Sequence, residues 1–533
     1  MSKRISRLIA LVLALCLLLT GCAIPKDLQK TMAGFGVIPR YSSIVYTRPD
    51  MDALEESLQA CTELAQTTDS ADTLMTEVYR FFELYNDFYT NSVLADLRYS
   101  ADLSDETWKA EYDFCSGAGP AAEAAREELL CALGQSPLRE ALESEDYFGA
   151  GYFDDYQGEP AIDQRLLALM EEEAGLESRY YELQQQYADA DRKLEDGLYQ
   201  DLAQLLIDLV KVRRKMSDRL GYRDYPNMAY EMYYDRDYSA NRAQSYLEKL
   251  AQVLHDPYVQ LADTTVWEDS YEYCSEKEAL RYLQQTAEAM GGTPEAAFRL
   301  MKTKGLYDIE YRPNKFENAF EVYIWDYNAP FLFLNPYLDQ SDKLSLAHEF
   351  GHFTADYACY GTGAGTDVAE VQSQSMEYLM LCYGRDPELL RRYKLADSLC
   401  TYVEQSAFSL FEHQLYTMPL QDLTPEKVRE LYTQVGTRFG FDSSDWDTRD
   451  YVDISHLYIQ PMYTISYVLS NDLALQIYQQ EVDQPGQGLA LYETLLSMQC
   501  SGILELANQL ELQDPISADR LDALADLFGS GEF

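Results

Sequence analysis

Apolar residues recur with helical spacing over most of this chain. Positions three and four residues apart are apolar in five stretches: 51–97, 121–142, 162–220, 239–261 and 276–290. A Gly-Gly-Thr-Pro break at 291–294 then starts another helix. The exception is 307–338, which is rich in Tyr, Phe, Val and Ile with polar breaks and predicts a small set of strands. The pattern therefore predicts a mainly α protein with a small β-sheet.

One segment after the predicted strands carries the candidate chemistry: residues 348–352 read His-Glu-Phe-Gly-His. On a helix, His348 and His352 are four positions apart, so both imidazoles point to one side and can bind one metal ion. Glu349 follows the first histidine, where a carboxylate can take a proton from a water molecule that the metal activates. Because the chain has only five histidines, this spacing is specific and predicts a hydrolytic zinc site.

The next helix, predicted at 367–381, is where a third metal ligand is expected. Glu370 and Glu377 are seven residues apart, or two helical turns, and therefore lie on one face. Buried carboxylates are costly unless they are paired or bind a metal, whereas an acidic stripe in water is the alternative. We predict Glu377 as the metal ligand and Glu370 as a carboxylate that supports a ligand.

These two motifs resemble the thimet oligopeptidase / oligoendopeptidase F family of zinc metallopeptidases. The resemblance rests on His348 to His352 and on the Glu-x-x-Ser-x-x-x-Glu run that begins at Glu370. It implies one zinc ion, bound by the two histidines and by the last glutamate of the run, Glu377. Gln372 stands where the family often has proline.

A third run, 456–467, is similar to the family's His-Phe-Tyr-x-x-Pro-Phe-Tyr segment. The resemblance implies that His456, Tyr463 and Tyr467 contact the substrate carbonyl and stabilise the oxyanion that develops on it. Ile465 stands near the place of another family tyrosine. Without the resemblance, a run this rich in tyrosine is more typical of a helix that packs aromatic rings.

The resemblance extends from about residue 200 to the end of the chain and implies a fold and an activity. The fold is a mainly α, two-lobed zincin-type metallopeptidase with a small β-sheet beside the active-site helix and a deep substrate channel. The implied domains are an N-terminal helical lobe at 51–200 and a catalytic domain at 201–533. Such a channel admits short peptides, so the implied activity is that of a zinc metalloendopeptidase on unfolded oligopeptides, with Glu349 as general base.

The last predicted strand, 331–335, ends shortly before the zinc helix. An exposed strand edge beside a metal site can hold an extended peptide through backbone hydrogen bonds. We therefore expect this strand to bind substrate, although an ordinary buried strand has the same pattern.

The N-terminal sequence predicts that the protein is located outside the cytoplasm. A basic start at 1–7 precedes an apolar run at 8–19 that is too short for a typical membrane span, and Leu-Thr-Gly-Cys ends at Cys22. This pattern is typical of a bacterial lipoprotein signal. We expect residues 1–21 to be removed, Cys22 to carry lipid, and 22–50 to tether the protein to the cell membrane. An ordinary secretion signal or an uncleaved anchor is the alternative.

The chain is strongly acidic, with a formal net charge of −48. Removal of residues 1–21 takes away Lys3, Arg4 and Arg7 and no acids, which gives −51 for the mature chain. Such a surface argues against nucleic-acid partners and against adsorption on anionic lipid. It favours solubility and can attract basic peptides; it does not define an oligomeric state.

The cysteines add no metal site. Besides Cys16 and Cys22, eight are scattered without metal-type spacing: Cys61, Cys115, Cys131, Cys274, Cys359, Cys382, Cys400 and Cys500. Most lie in apolar helical patterns, which favours buried free thiols, and disulfides are the alternative in an oxidising compartment.

Two other functions stay open. One is a surface lipoprotein that binds peptides on a peptidase scaffold without cleaving them. The other is a zinc amidohydrolase that acts on cell-wall peptides. The intact glutamate at 349 and the full set of candidate ligands favour the peptidase over the first.

Overall fold

The structure, a computed structural model, describes residues 38–189, 193–261, 272–361, 364–385, 387–441, 447–498 and 500–529. The predicted signal peptide at 1–21 and Cys22 lie outside the described residues, as does most of the predicted tether at 22–50. Helices dominate the described part, as the apolar spacing predicted.

Ten helices of the described part precede the strands: α1 (Met51–Thr67), α2 (Ala71–Ala101), α3 (Glu106–Gly134), α4 (Arg139–Leu142), α5 (Gln164–Asp189), α6 (Asp196–Leu220), α7 (Tyr225–Met232), α8 (Ala240–Leu261), α9 (Glu276–Met290) and α10 (Gly292–Lys304). Ten more follow them: α11 (Asp342–Cys359), α12 (Thr366–Tyr383), α13 (Pro387–Cys400), α14 (Ser406–Thr417), α15 (Pro425–Arg438), α16 (Ser455–Ile459), α17 (Ile465–Asp483), α18 (Gln487–Ser497), α19 (Ile503–Gln509) and α20 (Ala518–Gly529). A π-helical turn, Thr401–Gln405, joins α13 to α14.

Polar caps determine where the first helices begin. Asp50 accepts a hydrogen bond from the Ala53 amide at 3.0 Å, and Ser70 accepts one from the Thr73 amide at 3.2 Å. Each satisfies an amide that has no partner inside its helix. The stretch of helical apolar spacing at 51–97 therefore holds two helices, because Ser70 caps a new start.

The helix predicted at 121–142 begins earlier than its apolar pattern. Asp105 caps α3 by accepting from the amides of Thr107 and Trp108, and the helix then runs through Pro120 to Gly134. The short α4 completes the stretch. The predicted lobe boundary between 200 and 201 falls inside α6, and it stays a prediction.

The predicted strands form one three-stranded sheet in the order β1-β3-β2. The strands are β1 (Tyr307–Asp308), β2 (Ala319–Ile324) and β3 (Ala329–Leu334). β3 pairs in parallel with β1 and antiparallel with β2. The exposed edge expected at 331–335 is therefore wrong: β3 is the central strand and is buried along its whole length. The edge position on the metal-site side of the sheet belongs to β2, which packs against α11.

The metal-site helices lie in the middle of the core. α12 packs against α11 on one side and against α17 on the other, and α11 also covers β2 and β3. One continuous cluster of buried apolar side chains extends from Ile44 to Phe528. The site described below is therefore built on elements that the core holds on several sides.

All eight cysteines beyond Cys22 are free thiols, as the sequence favoured. Five of them are buried, and Cys382 is exposed. In the described part of the chain, we find no helix with the length and apolar character needed to span a bilayer.

Candidate metal centre

α11 brings the two predicted histidines together. The ring centroids of His348 and His352 are 5.0 Å apart, one helical turn from each other. Asp342, the first residue of α11, accepts hydrogen bonds from the amides of Tyr337 and Leu338 at 2.9 and 2.8 Å, which hold the chain as it enters the helix. The spacing of the motif therefore has the structural effect that the sequence predicted.

Gly351, inside the motif, allows α12 to approach α11 closely. A Cβ atom at this position would lie 2.5 Å from the Cα of Ser373 and 2.9 Å from the carbonyl oxygen of Gln372. Both are backbone atoms, so they cannot move aside as the end of a flexible side chain can. The glycine thus permits the helix contact that brings the glutamates of α12 to the histidines of α11.

Glu370 completes a three-residue cluster with the histidines. One carboxylate oxygen lies 3.3 Å from Nε2 of His348, and the other lies 3.7 Å from Nε2 of His352. One ligand atom from each of the three residues lies within 4.8 Å of the others. Two imidazole nitrogens and a carboxylate oxygen at this separation are a donor set that one zinc ion takes in a hydrolase.

Glu377 lies behind His348 and outside this cluster. Its Oε1 is 2.7 Å from Nδ1 of His348, the nitrogen that faces away from Glu370, and its Oε2 is 2.6 Å from Nζ of Lys394. The structure therefore gives the two glutamates the opposite places from those predicted. The two glutamates share a face of α12 two turns apart, and the imidazole of His348 lies between their carboxylates.

The electrostatics of the cluster fit a bound cation. Burial would raise the pKa of Glu370, but the hydrogen bond to His348 and the charges of both histidines lower it to about 2. Burial lowers the pKa of His352 to about 4, so this imidazole is neutral at pH 7. Burial also acts to lower the pKa of His348, yet its hydrogen bonds with Glu370 and Glu377 outweigh burial and raise the pKa. The cluster therefore offers an ionised carboxylate at Glu370 and a neutral imidazole at His352 to a cation.

The contact between Glu377 and His348 adds to the fit. A carboxylate that holds Nδ1 of a metal-binding histidine sets its tautomer and its orientation, so that Nε2 faces the metal. Lys394 in turn holds Glu377, and the pKa of Glu377 lies below its usual value because the charges and hydrogen bonds of Lys394 and His348 together outweigh burial. The chain thus provides both the ligands and their supports.

Glu349 is buried beside the cluster, with 6% of its surface exposed. Burial raises its pKa to about 8, although the charge of His348 opposes this. A carboxyl group in this range can both accept and release a proton near neutral pH. The geometry and the pKa therefore suit the role of general base predicted for it.

The predicted tyrosines and histidine of the third motif meet the same centre. We call residues 455–467, which comprise α16, a turn and the start of α17, the arm. The Tyr463 hydroxyl donates a hydrogen bond to Oε1 of Glu370, and Nε2 of His456 lies 3.2 Å from the Tyr467 hydroxyl. The rings of Tyr467 and His348 are 6.3 Å apart, centroid to centroid. Three segments that are distant in sequence thus converge on one place.

Burial sets the charge of these three side chains. Burial lowers the pKa of His456 to about 4 and raises the pKa of Tyr463 and Tyr467 well above its usual value. All three are therefore neutral at pH 7, and the tyrosines carry their hydroxyl protons. Neutral hydrogen-bond donors of this kind suit an oxyanion that forms only during reaction.

Four residues that hold the arm were not predicted from the sequence. Arg213 donates to the carbonyl oxygens of Leu457 and Tyr458, and it is fully buried. On the other side of the arm, Tyr234 donates to the carbonyl of Pro461 at 2.7 Å. Glu412 accepts from the Met462 amide at 2.8 Å, and Arg236 donates to the Met462 carbonyl at 3.0 Å. Among these four residues, Arg213 could have been noticed in the sequence, because it is an arginine directly after the apolar run of α6.

Comparisons with known structures identify the fold. A protein described as oligoendopeptidase F has a TM-score of 0.77 at 22% identity, covering 91% of this chain and 97% of that one. PZ peptidase A with an inhibitor has a TM-score of 0.77 at 21% identity, covering 92% and 99%. A protein described as oligoendopeptidase F from Bacillus anthracis str. Ames has a TM-score of 0.76 at 19% identity, covering 93% and 98%. These likenesses confirm the predicted fold.

Family models show which family the chain belongs to, whereas structures at this level of identity show only its fold. The model described as the peptidase M3 N-terminal domain matches residues 41–159, and the model described as peptidase family M3 matches residues 295–524. The first match extends the family into a region where the sequence motifs showed no resemblance. No curated protein matches the chain. The two family matches together cover more than half of the sequence and include the whole metal cluster, and the chain belongs to the peptidase M3 family.

Proposed function

We propose that this protein is a zinc-dependent metalloendopeptidase that hydrolyses peptide bonds in short, unfolded oligopeptides. The observation that carries the proposal is the buried cluster of His348, His352 and Glu370, with Glu349 beside it. These three residues would hold one zinc ion, with Glu377 supporting His348. A zinc ion there would supply Lewis acidity, which lowers the pKa of a water molecule to about 7 and polarises a carbonyl group.

Glu349 moves the protons of the reaction. Its carboxylate takes a proton from the attacking water and then delivers it to the nitrogen of the leaving amine. Burial supports this second step, because it favours the protonated form of the Glu349 carboxyl group. No other carboxyl group is needed for the proton balance.

The arm provides the donors for the oxyanion. Beside Glu370, Tyr463 carries an O–H group and His456 carries an N–H group, and both side chains are neutral because they are buried. Tyr467 lies within hydrogen-bond distance of His456 and orients it. The Tyr463 hydroxyl donates to Glu370, and a substrate carbonyl would compete for it.

β2 is the strand against which we propose that the substrate lies. It is one of the two edge strands of the sheet and packs on α11, which carries the two histidines. An extended peptide can add to such an edge through its backbone, which requires an unfolded segment. The acidic charge of the chain favours peptides with basic residues.

We also propose that the protein acts outside the cytoplasm, attached to the membrane by a lipid on Cys22. The proposal rests on the basic start, the short apolar run and the Leu-Thr-Gly-Cys sequence at 19–22. Metabolic labelling with a fatty-acid analogue in a bacterial host tests it. Label on the wild type and none on Cys22→Ala is the expected result, and equal labelling of both would refute the anchor.

The enzymatic proposal is tested with a defined library of short peptides, with and without a metal chelator, and with products identified by mass spectrometry. We expect internal cuts that the chelator abolishes and added zinc restores. Failure of a zinc-loaded sample to cut any peptide would instead favour a peptide-binding protein. Cuts confined to cell-wall peptides would favour the amidohydrolase.

Glu349→Gln is the matched variant in this assay. We expect it to bind zinc as the wild type does and to lose roughly 10³-fold in kcat, because the amide cannot accept the proton. Zinc content is measured by atomic spectroscopy on the same sample. Turnover close to that of the wild type would remove Glu349 from the mechanism.

A further inference from the structure

Arg236 connects two parts of the site that are far apart in sequence. It lies between α7 and α8, and its side chain has no exposed surface. Its Nε lies 3.2 Å from Oδ1 of Asp367, Nη1 lies 3.0 Å from the Met462 carbonyl oxygen, and Nη2 lies 2.9 Å from Oγ of Ser466. One guanidinium therefore bonds the start of α12 and two positions of the arm.

Asp367 is bonded on both of its carboxylate oxygens. Ser466 donates to Oδ1 at 2.5 Å, and Tyr238 donates to Oδ2 at 2.7 Å. Asp367 is three residues before Glu370, one turn earlier on α12. We call Arg236, Asp367 and Ser466 the arginine hub. The hub joins the helix that carries Glu370 to the arm that carries Tyr463.

The surroundings of the hub make it rigid. The guanidinium lies 4.3 Å from the ring centroids of both Tyr230 and Tyr234, where the aromatic faces attract the cation. A buried ion pair is costly to form, and removal of one partner leaves the other charge without compensation. Since each of the three nitrogens of this guanidinium has an acceptor, the hub has one favoured geometry.

Met462 shows what the hub holds in place. Its φ is +67°, in the left-handed region that a residue with a side chain seldom adopts. Its amide donates to Glu412 and its carbonyl accepts from Arg236, so two buried polar side chains hold this turn. The turn sets the direction of the chain immediately before Tyr463.

We propose that the arginine hub is a positioning device that fixes the Tyr463 hydroxyl relative to Glu370, and so places the oxyanion donor at the metal centre. The inference rests on the proposed function. Neither Arg236 nor Asp367 is placed in contact with the substrate. The hub acts through Tyr463, and a misplacement of about 1 Å in such a donor can cost about 100-fold in rate.

A double-mutant cycle between the hub and Tyr463 tests this inference. The enzyme is assayed on one peptide substrate as wild type, Arg236→Met, Tyr463→Phe and the double variant. We expect each single variant to lose about 100-fold in kcat, with a KM within about threefold of the wild type. The double variant should be no more than about threefold worse than Tyr463→Phe, because the hub has no role once the hydroxyl is absent.

Ser466→Ala gives a milder second cycle in case Arg236→Met does not fold. It removes one hydroxyl between the two charges, and we expect a loss of about fivefold in kcat that disappears in the Tyr463→Phe background. Ser375→Ala is the matched control, since it removes a buried hydroxyl from α12 that has no hydrogen-bond partner among the described residues. Its kcat should stay within about twofold of the wild type.

The affinity for zinc, measured by competition with a chelator, distinguishes positioning from metal binding. We expect the hub variants to bind zinc as the wild type does. Additive losses in both cycles, an unaffected kcat, or a loss of zinc affinity that accounts for the loss of kcat would overturn the hub while leaving the proposed function in place. A zinc-loaded wild type that cleaves no peptide would overturn the proposed function, and the hub with it.

Discussion

The metal cluster and the arm meet at Glu370, but they are built in different ways. The cluster uses residues from two consecutive helices, with His348 and Glu370 only 22 positions apart. The arm comes from a segment about a hundred residues further along and depends on contacts with α6, α14, α12 and the α7–α8 connection. The first region is therefore local in sequence, and the second depends on the assembled core.

The cluster and the arm keep their geometry through different contacts. Two helices and one glycine bring the ligands together, because the close approach at Gly351 sets how α12 lies on α11. The arm instead has a left-handed residue and short helical pieces, and buried arginines satisfy its backbone carbonyls. Changes in the cluster should therefore affect metal binding, and changes around the arm should affect turnover.

The largest expected effect distinguishes the two glutamates of α12. Glu370→Gln should lower zinc affinity by about 10³-fold, since it removes a ligand, whereas Glu377→Gln should lower it by about 10- to 100-fold, since it removes a support of His348. Competition with a graded series of chelators measures both. A greater loss for Glu377→Gln would restore the assignment made from the sequence.

Tyr463→Phe should lower kcat by about 100-fold and leave zinc affinity unchanged, because it removes a donor to the oxyanion but no ligand. Steady-state kinetics on one peptide and the zinc competition assay, run on the same preparation, give the two numbers. If zinc affinity fell together with kcat, the arm would belong to the metal site and the contrast between the regions would fail.

The folded protein should become less stable in acid because of His413, a buried histidine near the arm. Burial and the charge of Arg236 lower the pKa of His413, which bonds the Tyr230 hydroxyl at 2.9 Å, to about 3. Between pH 6.5 and 3 the unfolded state binds a proton at His413 that the folded state does not, so stability falls as the pH falls. The loss from pH 6.5 to 5 should be about 1.5 kcal/mol.

Urea unfolding at the two pH values measures this loss in the wild type and in His413→Gln, where the contribution should vanish. His255→Gln, at a partly exposed histidine, is the control and should keep the wild-type dependence. Equal acid sensitivity in the wild type and His413→Gln would show that this histidine does not determine it.

The smallest expected effect concerns a single hydrogen bond to the arm. Tyr234→Phe removes the donor to the Pro461 carbonyl, and we expect a loss of about fivefold in kcat with little change in KM. Tyr246→Phe is the matched control, because its buried hydroxyl has no partner among the described residues. Equal kcat values in the two variants would mean that this bond does not position the arm.

The spacing of residues along the chain predicted which side chains share a face of a helix. It did not predict which face meets which neighbour. Four-residue spacing placed His348 and His352 correctly, because an α-helix repeats every 3.6 residues. The same periodicity put Glu370 and Glu377 on one face, but it could not say which turn of α12 faces the histidines. Likewise, the aromatic and β-branched residues at 307–338 predicted strands near the metal helix, but not that β3 would lie between the other two.

The helical class, the metal motif with its general base, and the resemblance that pointed to the arm could all be read from the amino-acid sequence, because each depends on residues close together in the chain. The fold was needed to show that Glu370 joins the cluster, that Glu377 lies behind His348, and that Arg213 and Arg236 hold the arm. Helix geometry specifies which residues share a face, whereas the close packing of backbones and the pairing of buried charges specify which faces meet.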